Sequence, residues 1–257
     1  MSKTKIVAVV GFKKSGKTRV IEELTRELTQ RGYEIGTVKH GSERHTVDAP
    51  GKDTWRHIQA GSKASAILTP SKSAFFIKNP LSVFDAISLL GDRDFVILEG
   101  FKSIDTVARI IVLKEAEDAE NLSNGLEIAV LIPPTFDPST IKTDAPKIRI
   151  DDIEELADLV ESKSFPLLSG FNCKSCGYES CAAMAQAIVK EGEKASRCVY
   201  INGEKVKLVV NGRGIPIKGF VQGFIARTVL GMVSSLKEVE DPKRVELLIE
   251  DGDFIHE

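Results

Sequence analysis

The 257-residue chain is poor in aromatic side chains: they make up 6% of it, with one tryptophan and three tyrosines. That leaves few rings for stacking on bases. Neither charge dominates, since 35 Lys and Arg face 37 Asp and Glu for a net charge of −2. Without a basic field, nucleic acid is not an expected partner. No apolar run approaches the ~20 residues that span a bilayer, so no membrane partner is expected either. The apolar stretch in MSKTKIVAVVGF is short and leads straight into a glycine–lysine motif. It reads as a buried strand rather than a signal peptide. Cysteine is scarce as well: four residues, all between Phe171 and Cys198. A soluble cytoplasmic protein is expected. That compartment keeps thiols reduced, so clustered cysteines there point to a metal or cluster rather than to disulfides.

What is present begins with IVAVV, residues 6–10. A run apolar on both faces suits a central parallel strand. It is followed by GFKKSGKT, Gly11 to Thr18, which fits G-x-x-x-x-G-K-[ST] in full. The next residues carry Val20, Ile21, Leu24 and Leu28 at helical spacing, and Gly32 ends the helix. Strand, glycine loop, helix is the context of a phosphate-binding P-loop. Gly11 and Gly16 let backbone N–H groups turn toward phosphate, with Lys14 and Ser15 inside the loop. Lys17 is expected on the β- and γ-phosphates and Thr18 on Mg²⁺.

YEIGTVKH, residues 33–40, reads as the next strand, followed by a polar loop to residue 62. The loop holds His40, His45, His57, Asp48, Asp53 and the tryptophan, beyond the carboxyl end of a strand where open α/β sheets place ligands. Asp53 is the first choice there for a second Mg²⁺ contact. DFVILEGF, residues 94–101, is another strand; it ends in Glu99, where P-loop proteins hold a carboxylate for Mg²⁺ or its water. Further strands are expected at 65–70, 73–79, 108–114 and 127–133, and helices at 84–91 and 153–163. This alternation implies a mostly parallel sheet covered on both faces. Asp144, in IKTDAP, is the nearest approach to a guanine-reading aspartate.

GFKKSGKTRVIEELTRELTQRGYEIGTVKH, DAPGKDTWRHIQAGS and FVILEGFK together resemble the molybdopterin-guanine dinucleotide biosynthesis protein B (MobB) family, over roughly residues 4–162. The resemblance implies a dimeric P-loop protein that binds GTP and Mg²⁺ and hydrolyses GTP weakly. Its partner would be the guanylyltransferase that joins GMP to molybdopterin, with molybdopterin or its metal-loaded form. By position, Gly16, Lys17 and Thr18 match the phosphate motif, Asp53 the PGKD aspartate and Glu99 the acid of the EG pair. No arginine finger or water-orienting glutamine can be assigned, so hydrolysis alone is expected to be slow.

SFPLLSGFN, residues 164–172, reads as a linker. Beyond it Cys173, Cys176, Cys181 and Cys198 are spaced C-x2-C-x4-C-x16-C, with Gly177 turning the chain between ligands. AAMAQAIVKEGE after Cys181 looks helical. A helix of ~9 residues rises ~14 Å, and eight extended residues reach ~26 Å. Cys198 can therefore return to the same centre, with Gly192 as the reversal point. Four thiolates suit a [4Fe–4S] cluster or a tetrahedral zinc. The second C-x2-C knuckle of a zinc ribbon is absent, which favours the cluster. Residues 171–198 also resemble the small iron–sulfur domain of corrinoid iron–sulfur proteins, including Gly177, Ala185, Gly192 and Glu193. The tail suggests a hairpin over 204–220. A helix with an apolar stripe Phe220, Phe224, Thr228, Met232, Leu236 follows and is expected in the core, and VELLIED is expected as a closing strand.

The expected fold class is α/β: a P-loop NTPase with a mostly parallel sheet and helices on both faces, plus a small C-terminal α+β iron–sulfur module. The expected division is 1–163 and 164–257. The function expected is a GTP-binding accessory protein of molybdenum or tungsten cofactor biosynthesis, with a cluster of redox or structural role. The alternatives are a nucleotide-gated electron-transfer protein and a zinc-stapled nucleotide-binding adaptor.

Overall fold

The computed structural model describes residues 4–41, 48–202, 206, 208–210, 213–215, 217, 219–237, 239 and 245–249. The apolar run at the front forms β1 (Lys5–Val10), whose residues from Val7 to Val10 have no exposed surface. It lies inside a six-stranded parallel sheet in the order β2-β5-β1-β6-β7-β8. The other strands are β2 (Ile35–Lys39), β5 (Phe95–Glu99), β6 (Ala108–Val112), β7 (Glu127–Ile132) and β8 (Lys147–Arg149). Alternate residues of β1 feed two apolar layers. Val7 and Val9 pack with α1 (Lys17–Gln30), α5 (Ile153–Lys163) and α6 (Cys181–Glu191). Ile6, Ala8 and Val10 pack with α3 (Val83–Leu89) and α4 (Asp118–Asn121) on the opposite face. The expected parallel sheet covered on both faces is therefore present.

Two expected strands lie outside it. Residues 64–77 fold as an antiparallel hairpin of β3 (Ala64–Leu68) and β4 (Ser73–Ile77), a separate two-stranded sheet. Ile67, Leu68, Phe75 and Ile77 are exposed on it. Part of the expected polar loop is helical: α2 spans Asp53–Gln59 and buries no residue. His45 lies outside the described residues.

The segment read as a linker is packed instead. Phe165 and Leu168 are buried in the same layer as α1 and α5. The Ile6 N–H donates to the Phe165 carbonyl and the Leu168 N–H to that of Thr106. Pro and Gly kept this stretch from regular structure without keeping it from the core. Cys181, Met184, Ala185 and Cys198 join that layer, so the cysteine segment shares a core with the sheet.

After α7 (Val199–Asn202), the tail holds the expected hairpin as β9 (Leu208–Val210) and β10 (Arg213–Ile215), then α8 (Gly219–Ser234). The stripe on α8 is not core: Phe224 is 63% exposed, Met232 57% and Leu236, just past the helix, 58%. The side chain of Phe220 is outside the description. Spacing fixed which residues share a face, and nothing described covers that face. Residues 245–249 have no regular structure where a closing strand was expected. Among the described residues, no helix is long and apolar enough to cross a membrane.

Candidate functional site

Two sites lie at opposite ends of the sheet. All six strands run the same way, so their carboxyl ends share one edge. At that edge the chain leaves β1 into the glycine loop. Gly11 is buried, and a Cβ on it would meet Ser15 Oγ at 2.4 Å and the Val112 carbonyl at 2.7 Å. No other residue type fits this approach. Lys14 takes a positive φ of 67° and Gly16 one of 93°, curling the backbone around the loop. Gly16 is the N-cap of α1, with no side chain capping it and no acidic residue in the first turn. The first N–H groups of α1 are thus left for an anion. Ser15 Oγ is buried without a hydrogen-bond partner. An orphaned buried hydroxyl inside a cradle that a Cβ would fill fits a phosphate.

The cation side of this site is equally defined. Lys17 Nζ donates to the Phe12 carbonyl at 2.7 Å, within the loop. Burial lowers its pKa from the ordinary value, with Glu99 acting in the opposite sense. Thr18 Oγ1 donates to Glu99 Oε1 at 3.2 Å. Lys39 Nζ reaches the same oxygen at 2.8 Å. The register explains the meeting: Glu99 pairs with Val9 of β1 on one side and Lys39 of β2 on the other. A hydroxyl and a carboxylate side by side are hard oxygen donors of the kind Mg²⁺ takes. Lys102 Nζ lies 3.8 Å from the centre of the Phe12 ring, adding another cation beside the loop.

Asp53, the other expected Mg²⁺ contact, stands on a different element. It starts α2 and lines an open concavity with Trp55, Arg56 and His57. Among the described residues, no hydrogen bond or ion pair joins it to Thr18 or Glu99. Asp144 is exposed and precedes β8, so it stands before the amino end of a strand rather than beyond a carboxyl end. The residues that do follow a carboxyl end beside the loop are Ile150, 3.6 Å from a Cβ built on Gly16, and Asp151, 2.8 Å from Arg19. Lys39, Lys102 and Asp151 were not assigned roles from sequence. The pairing of Lys39 with Glu99 needed the strand order; Lys102 had only its place two residues after Gly100 as a signal.

The second site lies toward the amino ends of the strands. Leu168 bonds to Thr106, which precedes β6, and Gln186 of α6 donates to the carbonyl of Asn124, which precedes β7, at 2.8 Å. A strand of six residues such as β1 spans about 20 Å, so no small ligand touches both sites. Cys173, Cys176, Cys181 and Cys198 are not in disulfides and line one concavity with Ser169, Asn172 and Met184. Cys173 is exposed, whereas Cys181 and Cys198 are buried. Among the described residues, no three His, Cys, Asp or Glu side chains close as a single-ion site.

Local sequence explains how four sulfurs share this hollow. Asn172 and Lys174 take positive φ of 49° and 58° on either side of Cys173, and Gly177 one of 88°. Asn172 Oδ1 accepts from the Cys181 N–H at 2.8 Å, closing the first loop. Ser180 caps α6 by accepting from the Ala183 N–H. Cys181 therefore sits at the first position of α6. α6 stops at Gly192, in the left-handed conformation at φ 71°, and the chain returns through a short turn at Ala195–Arg197 to Cys198. A thiol-only donor set with buried and exposed members suits an iron–sulfur cluster.

Comparison with known proteins finds a match in each of the two segments that carry these sites. The family described as "Molybdopterin guanine dinucleotide synthesis protein B" matches residues 6–132, and that described as "Putative Fe-S cluster" matches residues 168–200. A protein of Methanocaldococcus jannaschii, "Putative molybdopterin-guanine dinucleotide biosynthesis adapter protein", is 31% identical over 96% of this chain and 97% of its own. The molybdopterin-guanine dinucleotide biosynthesis adapter protein of Haemophilus influenzae is 27% identical over 61% of this chain and 88% of its own. The crystal structure of Bacillus subtilis MobB is similar with a TM-score of 0.52 at 27% identity, covering 62% of this chain and 96% of that one.

The glycine loop yields a direct test. Gly11→Ala forces the new methyl onto a carbonyl that cannot swing away, so it should destabilise the fold by about 1–3 kcal/mol. Urea denaturation followed by circular dichroism measures this. An unchanged midpoint would mean the loop is looser than its contacts indicate.

Proposed function

This chain belongs to the molybdopterin guanine dinucleotide synthesis protein B family, with an iron–sulfur domain appended, and on that premise we propose that it is a GTP-binding adapter. It would serve guanylylation of molybdopterin in molybdenum or tungsten cofactor biosynthesis. One observation supports this reading: the Methanocaldococcus jannaschii relative matches along both halves of the chain. In the proposal Gly11, Lys14, Ser15, Gly16 and Lys17 hold the phosphates, and Thr18 with Glu99 holds Mg²⁺. Lys39, now paired with Glu99, would turn to the phosphates as the divalent ion takes its place. Hydrolysis is slow, because Arg19, the arginine nearest the loop in sequence, is committed to Glu23 and Asp151.

The four cysteines hold a [4Fe–4S] cluster in this reading. The distance between the sites supports an indirect role for it: sensing redox state, passing electrons through the exposed Cys173 side, or stapling the fold. The protein acts in the cytoplasm with the guanylyltransferase and molybdopterin as partners, and its thiols stay reduced there. It works as a homodimer. The β3–β4 hairpin supports that, since two strands alone are marginally stable and this pair exposes large apolar side chains.

Three experiments test the reading. Lys17→Ala should lose GTP binding by at least a hundredfold in calorimetry; normal affinity would remove the P-loop assignment. Anaerobically purified wild type should carry about four irons and four sulfides per chain, and Cys176→Ser should lose most of the iron. One zinc and no iron would leave a structural staple instead. Phe75→Glu should sediment as a monomer while wild type sediments as a dimer; a variant still dimeric would place the contact elsewhere.

A further inference from the structure

Glu193 follows Gly192 in the turn that sends the chain back to Cys198, and neither site above uses its side chain. Its carboxylate accepts from three donors. The Tyr178 hydroxyl donates to Oε2 at 3.1 Å, Arg197 to the same oxygen at 2.5 Å, and the Lys194 N–H to Oε1 at 2.8 Å. The Arg197 hydrogen bond, then the Lys194 N–H, keep this carboxyl below the usual carboxylate range. Arg197 does more: its Nε donates to the Cys176 carbonyl at 2.9 Å, and its guanidinium lies 5.3 Å from the centre of the Tyr178 ring.

These contacts join two separate arms. Tyr178 stands two residues after Cys176, and Arg197 stands directly before Cys198. An arginine suits the junction because its rigid fork can serve a carboxylate and a carbonyl at once. A lysine would bring the same charge with a single flexible ammonium. A thiolate-bound cluster is anionic and gains a further negative charge on reduction. A fixed cation beside it therefore favours the reduced form. The Arg197 side chain is half-exposed, at 52%, so water screens part of that charge.

We propose that Arg197 is a positioning residue for the cluster, tying the Cys173–Cys176 arm to the Cys198 arm through Glu193 and Tyr178 and setting a positive charge beside the bound centre. This rests on the iron–sulfur reading above. The two effects separate by substitution, because Arg197→Gln removes both fork and charge, and Arg197→Lys removes the fork alone.

The full-length variants are purified anaerobically beside wild type. Three quantities are read: iron and sulfide per chain, the midpoint potential by mediated dithionite titration, and the rate of iron release to a chelator. Arg197→Gln should hold its cluster at a more negative potential and release iron several-fold faster. Arg197→Lys should recover most of the potential but not the resistance to the chelator. Tyr178→Phe keeps the ring and loses one bond to Glu193. It should release iron faster than wild type, and it carries the test where Arg197→Gln does not accumulate. A cluster in wild type with unchanged potential and unchanged release in these variants overturns the proposal alone. A wild type without iron and sulfide overturns the cluster reading, and the proposal with it.

Discussion

Strand β1 is the constraint on which the rest of the molecule depends. It is paired on both sides and buried on both faces. Its carboxyl end can only empty into a tight turn, because β6 presses from one side: the Val112 carbonyl lies where a Cβ on Gly11 would go. Its amino end takes the Phe165 carbonyl on Ile6, and Lys5 Nζ donates to the Glu161 carbonyl at the end of α5. One strand thus fixes the phosphate loop at one edge of the sheet and anchors the approach to the cysteines at the other. Its apolar β-branched residues supply both the stiffness and the burial that this requires.

The two edges are bridged by the crossover between β5 and β6. It starts beside the phosphate loop, where Gly100 and Phe101 take positive φ of 98° and 30° and Lys102 lies over the Phe12 ring. It ends at Thr106, which accepts from Leu168 on the way to the cysteines. Arg109, buried to 3% exposure, holds its middle by donating to the carbonyls of Lys102 and Ile104 and to that of Leu122. The three carbonyls replace waters lost by its two terminal nitrogens, while Nε is buried without a hydrogen-bond partner. Desolvation lowers its pKa, yet from so high an ordinary value that it stays a cation. The crossover is thus a fixed strut between the two edges of the sheet.

The long elements were legible in the sequence because each carries its own repeated signal. β1, α1, β5, α5 and α6 came from apolar runs or helical spacing with a clear stop, and the cysteine set from its spacing. What escaped was short or relational. α2 has seven residues and no buried face, so no period could mark it. β8 has three residues and exists only as an added edge on β7. Residues 164–172 were misread because Pro and Gly report on backbone regularity, whereas Phe165 and Leu168 decide packing. The α8 stripe failed for the converse reason: spacing tells which side chains share a face, not what covers it. The partnership of Lys39 with Glu99 and that of Arg197 with Cys176 both cross between elements, and a linear pattern does not hold them.

Both sites solve the same electrostatic problem with the same device. In the proposed function a phosphate chain and a thiolate centre are both concentrated negative charge, and each would meet the first turn of a helix. α1 offers uncapped N–H groups behind Gly16, and α6 carries Cys181 at its first position. They differ in what closes the site. At the phosphate loop the cations are lysines with one partner each: Lys39 on Glu99, Lys17 on the Phe12 carbonyl and Lys102 over the Phe12 ring. At the cysteines Arg197 is held in a fork between Glu193 and a backbone carbonyl, while Lys174 lines the hollow itself. Exchangeable lysines suit a ligand that arrives and departs with each cycle. A fixed arginine suits a centre that is built once and kept.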